Sequence, residues 1–154
     1  MDETPIKSAQ LLGRIYFVAV IPFFGGAIAP WITGPSASAE VPIFLLWSFT
    51  VLLFCSAGWM GFSIGARARH APLHTFVGLI ISGFAVGAFL ALQTKKAFLA
   101  ATILTVLHWL HLWWLQKTGG LDKEILKQHQ RFVWTVLACH MVVLLNMVYA
   151  AKTA

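Results

Sequence analysis

Residues 42–65 read PIFLLWSFTVLLFCSAGWMGFSIG, an apolar run without a single Asp, Glu, Lys or Arg. A helix over this stretch, rising about 1.5 Å per residue, is roughly 36 Å long and so crosses the ~30 Å hydrocarbon core of a bilayer. Four further runs of the same kind surround it: residues 12–32 before it, and 73–92, 97–115 and 132–151 after it. The runs are separated by breaker-rich or charged segments, of which Thr33-Gly34-Pro35-Ser36 and Gln116-Lys117-Thr118-Gly119-Gly120 are the clearest. The expected fold is therefore all-α, a polytopic bundle of five transmembrane helices forming a single domain over residues 1–154.

Composition agrees with this reading. The chain has 154 residues, of which 59% are hydrophobic, 14% aromatic and 10% charged, where soluble domains carry about 25% charged residues. So small a domain cannot hide that much apolar surface from water. The net charge of +6 does not indicate nucleic acid, because no binding module accompanies it. Instead the basic residues sort by loop. Lys7, Arg14, Arg67, Arg69, Lys117, Lys123, Lys127 and Arg131 fall on one side of a five-span topology, and Lys95, Lys96 and Lys152 on the other. The positive-inside bias then puts the N-terminus in the cytoplasm and the C-terminus in the periplasm. A bacterial inner membrane is expected rather than a mitochondrial one, since Asp2 and Glu3 do not suit a transit peptide. Ala27-Ile28-Ala29 has the form of a signal-peptidase site, but Pro30 follows it directly, so the first run is read as a retained span.

Between the fourth and fifth runs, Leu121, Ile125 and Phe132 are spaced as on one helical face amid charged residues. This spacing predicts a short amphipathic helix lying in the interface and leading into the last span. Asp122 and Glu124 at its start and Lys127 and Arg131 at its end suit the helix dipole. Aromatic residues mark both interfaces: Tyr16, Trp59, Trp113, Trp114 and Trp134 at the inner end, Trp31, Trp47 and Tyr149 at the outer.

The polar residues within the spans carry the functional question. His108 and His140 fall near mid-bilayer on adjacent runs, with His111 one turn closer to the cytoplasm and Thr105 on the same stripe. A polar group at that depth is costly and therefore worth a functional hypothesis. Two readings compete. In one, neutral imidazoles hydrogen-bond across the bundle and hold helices together; in the other, His108 and His140, with His111, are cofactor-binding residues for haem b or a quinone. His70, His74 and His129 are placed near the interfaces. Pro22 with Gly25-Gly26 is expected to break the first helix and to mark a cavity, were the protein a carrier. Gly61 and Gly65, and Gly83 and Gly87, form faces for helix packing, within one bundle or against a second copy or other membrane subunits.

Cys55 and Cys139 stand alone in apolar runs, so neither a disulfide nor a metal site is indicated. Catalytic residues are not found: the acids Asp2, Glu3, Glu40, Asp122 and Glu124 all lie in tails or loops, and no hydrolase, zinc-protease or nucleotide motif is present. The expected function is thus a non-enzymatic accessory, assembly or lipid-interacting membrane component. A haem- or quinone-associated redox protein and a small-molecule carrier are the alternatives.

Three segments carry a family resemblance: Ile21-Pro22-Phe23 with the small residues that follow; Phe54-Cys55-Ser56-Ala57-Gly58-Trp59-Met60-Gly61; and Leu107-His108-Trp109-Leu110. With the basic stretch that enters the last span, they resemble a family of uncharacterised five-span membrane proteins, a domain-of-unknown-function group that includes transmembrane protein sixty-nine. The polar residue that the family places before the tryptophan of the second segment is absent here, or the register differs by one. The resemblance implies a five-span fold and a membrane address, and brings no activity with it.

Overall fold

A computed structural model describes residues 4–33, 40–65, 71–118 and 122–153. They form five helices: α1 (Thr4–Thr33), α2 (Glu40–Gly65), α3 (Ala71–Gln93), α4 (Ala97–Thr118) and α5 (Lys123–Thr153). Each is long and apolar enough to cross a membrane, and the chain is an all-α polytopic bundle. Arg67, Arg69, His70, Gly119, Gly120 and Leu121 lie outside the described residues, as do the side chain of Lys7 and the surroundings of Gly65.

The helices close into a ring in chain order, α1 meeting α5, with α2 also touching α4 across the middle. Phe23, Phe44, Leu45, Leu52, Ile81, Ala85, Leu104, Val133, Val136 and Val143 fill the interior. Large apolar side chains such as Phe17, Ile32, Phe54, Phe84 and Leu145 point outward, as suits a helix surface solvated by lipid. Between α3 and α4 the chain turns in three residues. Lys95 adopts a left-handed φ of 62°, and the bonds Lys96 N to Ala91 O (2.9 Å) and Lys95 N to Leu92 O (3.0 Å) close a Schellman cap. Asp122 caps α5, its Oδ1 accepting from Glu124 N at 2.9 Å.

Three expectations need correction. α1 is not broken at Pro22: it is one helix containing both Pro22 and Pro30. Proline removes the bond to the carbonyl of Val18, and at the neighbouring carbonyl Trp47 Nε1 of α2 donates to Ala19 O at 3.0 Å. A partner helix thus reinforces the weakened turn. Nor does the pair after it mark a cavity: a Cβ on Gly26 would lie 3.0 Å from that of Phe44, so the second glycine serves close approach of α1 to α2. The amphipathic stretch is continuous with the last span, as expected. It forms the first turns of α5, and its apolar face enters the bundle, with His129 and Phe132 buried.

The glycine faces differ as well. Cβ atoms added to Gly58, Gly61, Gly83 or Gly87 would meet nothing within 4 Å, whereas one on Gly78 would lie 2.6 Å from Met60 Cγ. The close α2–α3 contact is therefore at Gly78, and Gly61, Gly83 and Gly87 face outward.

Candidate functional site

His108 and His140 are brought together as the matching depths suggested, and a residue the sequence did not single out joins them. Ser48 on α2 places its Oγ 3.0 Å from His108 Nε2 and 2.7 Å from His140 Nε2. Thr105 lies on the other side of His140, its Oγ1 3.0 Å from Nδ1, and bonds the Ala101 carbonyl at 2.7 Å. Ser48, His108 and His140 are all at most 1% exposed. The rings of Phe23 and Phe44 flank the group, that of Phe44 edge-on to His140 at 4.9 Å.

These bonds run in one direction. A carbonyl only accepts, so Thr105 donates its single proton to Ala101 O and accepts from Nδ1–H of His140. A neutral imidazole carries one proton, which makes Nε2 of His140 an acceptor for the Ser48 hydroxyl. Ser48, having donated its proton, accepts from Nε2–H of His108. The relay is therefore His108 to Ser48 to His140 to Thr105 to Ala101, linking α4, α2 and α5 at the centre of the bundle.

This donor set does not fit axial ligation of a haem. Axial histidines offer lone pairs to a metal lying between them. Here one Nε2 carries a proton, the other has its lone pair engaged, and a serine hydroxyl occupies the space between. Among the described residues no three His, Cys, Asp or Glu side chains gather as a metal site requires.

His111 does not join this pair. It lies at the end of the bundle that carries Arg14, Lys117, Lys123 and Lys127, with its ring 5.3 Å from that of His129 and nearly perpendicular to it. His74 and His129, near the ends of their spans, are buried within the bundle, being 2% and 4% exposed. His74 Nδ1 accepts from the indoles of Trp59 at 3.3 Å and Trp114 at 3.1 Å, so both indole N–H groups are satisfied within the bundle. Trp113 and Trp134 remain outward-facing, and at the opposite end Trp31 stacks on Tyr149. Tyr16 also turns inward: its hydroxyl lies 2.7 Å from His129 Nδ1, and its ring stacks on Phe132 at 4.4 Å.

Because α1 packs on α2 and α5, a space is left facing α4 at this level. It is a cavity of about 330 Å³ lined by Leu12 and Tyr16 of α1, Phe54, Cys55, Gly58, Trp59 and Phe62 of α2, His111 and Leu115 of α4, and Ile125 and His129 of α5. The Nε2 atoms of His111 and His129 are both buried without a hydrogen-bond partner. The sequence signal for this second site is weak: His111 and His129 lie on different helices, and nothing in contiguous sequence shows that their rings turn towards one another. Comparison of the chain with protein-family models, with curated proteins and with solved structures finds no match.

Proposed function

We propose that this chain is a non-enzymatic accessory component of a bacterial inner membrane, acting through its contacts with neighbouring membrane proteins and lipid. We also group it with the five-span family named above, on the motifs quoted there. The observation that carries the functional reading is the closed relay at the bundle centre. Ser48, Thr105 and His140 spend their hydrogen-bonding capacity on one another, on His108 Nε2 and on Ala101, which is what structural polar groups in a membrane interior do. What the molecule offers outward is apolar surface, interrupted by small residues at Gly61, Gly83 and Gly87 where another helix can approach closely. A second copy or a membrane subunit is the partner these faces suit. The basic residues of the loops support a cytoplasmic N-terminus and periplasmic C-terminus.

The redox reading of His108 and His140 loses support from the direction of the relay. The carrier reading loses its motif with the unbroken α1.

The test is purification of the tagged chain in mild detergent, followed by native mass spectrometry and a visible spectrum. The reading expects co-purifying membrane subunits or a second copy, retained in Ser48→Ala, and no Soret band. A stoichiometric haem, or a redox activity lost in Ser48→Ala while the fold persists, overturns it. Cysteine labelling at positions 95 and 123 in a background lacking Cys55 and Cys139 tests the topology; labelling of both from one side would reject it.

A further inference from the structure

The outer seam between α1 and α5, at the basic end of the bundle, joins two chemistries in one groove. On α1, Gln10, Gly13, Phe17, Val20 and Phe24 recur at helical spacing and share a face, with Arg14 beside it; on α5, Gln128, Arg131 and Thr135 do the same. These faces line two adjoining hollows that have Gly13 and Phe17 in common. One, of about 560 Å³, lies beside Arg14 and Gln128; the other, of about 290 Å³ and further into the membrane, lies beside Arg131, Thr135 and Phe24. The two helices run parallel: a Cβ on Gly13 would lie 3.4 Å from Gln128 Oε1, Tyr16 stacks on Phe132, and Trp31 stacks on Tyr149. In that register Arg14 and Arg131 fall within about one helical turn of the same depth. Both side chains are exposed, and no Asp or Glu lines either hollow. Two guanidiniums thus border one groove that contains no carboxylate, a positive field that a phosphate oxygen satisfies with charge-assisted hydrogen bonds.

From that level the groove continues into hydrocarbon. Phe24 lies ~15 Å beyond Arg14 along α1, about the depth of one leaflet of a ~30 Å core, and Phe17 and Val20 wall the way between them. Phe17 and Phe24 are 72% and 50% exposed and belong to the first membrane-crossing segment, so this apolar trough opens to lipid. A soluble anion would use only the upper part of the groove, and an uncharged lipid only the lower. An anionic headgroup carrying an acyl chain uses both, as basic clefts between membrane helices do for acidic lipids. The amides of Gln10 and Gln128 beside Arg14 both donate and accept, which suits a glycerol headgroup with free hydroxyls better than a bare carboxylate.

We propose that the α1–α5 seam binds one anionic phospholipid, with its phosphate held by Arg14 and Arg131 and an acyl chain along Phe17, Val20 and Phe24. This rests on the lipid-contacting part of the proposed function and gives that contact a lipid class and a place. Its test counts bound lipid, whereas the accessory role is tested by co-purifying protein, so either can fail without the other.

The full chain, purified in mild detergent, is incubated with equal amounts of dioleoylphosphatidylglycerol and dioleoylphosphatidylcholine, and bound lipid is counted by native mass spectrometry. One phosphatidylglycerol per chain, retained in preference to phosphatidylcholine, is expected. Arg14→Gln and Arg131→Gln should each weaken its retention by about tenfold or more, the scale of a lost charge-assisted hydrogen bond, and the double variant should lose the preference. Thr135→Trp, which fills the deeper hollow and spares both arginines, should weaken retention as well. Lys117→Gln removes an equal charge at the same end, in the last turn of α4 and away from the seam, and should leave retention unchanged. Neither glycerol 3-phosphate nor palmitate in excess should displace the lipid. Equal retention of the two lipids, unchanged retention in the arginine variants, an equal loss in Lys117→Gln, or displacement by either competitor would overturn the proposal. So would a protein subunit found in place of the lipid and lost in the same arginine variants. Because Arg14 and Arg131 are exposed, their variants should keep the parental unfolding midpoint; should Thr135→Trp fail to fold, the arginine pair decides.

Discussion

Ser48 Oγ lies 2.7 Å from His140 Nε2, so a hydroxyl on the second helix and a threonine on the fourth fix between them which nitrogen of a fifth-helix imidazole carries its proton. The same hydroxyl accepts from His108. One small side chain therefore couples three helices at a depth where water cannot replace any lost bond.

Ser48→Ala removes that coupling and leaves Nε2–H of His108 and the Nε2 lone pair of His140 unpaired. The expected cost is about 1–3 kcal/mol of stability, measured by equilibrium unfolding in mixed micelles. Combining it with His140→Leu should cost less than the sum of the single changes, since each breaks the same bond. Strict additivity would show that the relay does not hold the helices together.

How far this was legible beforehand depends on the kind of signal. The spans could be read because apolar length and loop charge are properties of contiguous sequence, and the approach of His108 to His140 followed from rise per residue alone. Ser48 could not be read, because a lone serine in an apolar run has no periodicity. The burial of His74 and His129 was missed for another reason. Each lies near a span's end, where distance along the helix predicts exposure, yet the direction of the side chain decides burial, and that is set by neighbours such as Trp59, Trp114 and Tyr16.

Pro22 is where local rule and tertiary structure disagree. The ring should break the helix, but α1 is continuous through it and the Trp47 indole bonds the adjacent Ala19 carbonyl. Pro22→Ala is then expected to change stability by no more than about 1 kcal/mol, whereas Trp47→Phe, which loses a cross-helix donor, should cost about 1 kcal/mol. A stability change of several kcal/mol in Pro22→Ala would restore the broken-helix view.

Helix packing gives a sharper contrast. Alanine at 78 would place its Cβ 2.6 Å from Met60 Cγ, while alanine at 83 or 87 meets nothing within the bundle. Gly78→Ala should therefore destabilise the monomer by about 1–3 kcal/mol and be relieved in a Met60→Ala background. Gly83→Ala and Gly87→Ala should be within about 0.5 kcal/mol of the parent. Sedimentation in detergent distinguishes what these outward glycines do: if they meet a second copy, Gly83→Leu should reduce the dimer fraction while leaving monomer unfolding unaltered.

Tyr16→Phe keeps the ring that stacks on Phe132 at 4.4 Å and removes only the hydroxyl that lies 2.7 Å from His129 Nδ1. The stability loss should be about 1 kcal/mol, and a spectroscopic change should accompany it. With the phenol in place, nitrogen-15 shifts of labelled histidine should show His129 held as the Nε2–H form, because its Nδ1 is occupied as an acceptor. In Tyr16→Phe that constraint is gone, and the resonances should move towards a mixture of tautomers while those of His140 stay fixed by Thr105 and Ser48. Parental His129 already in the Nδ1–H form would show instead that the imidazole donates to the phenol oxygen.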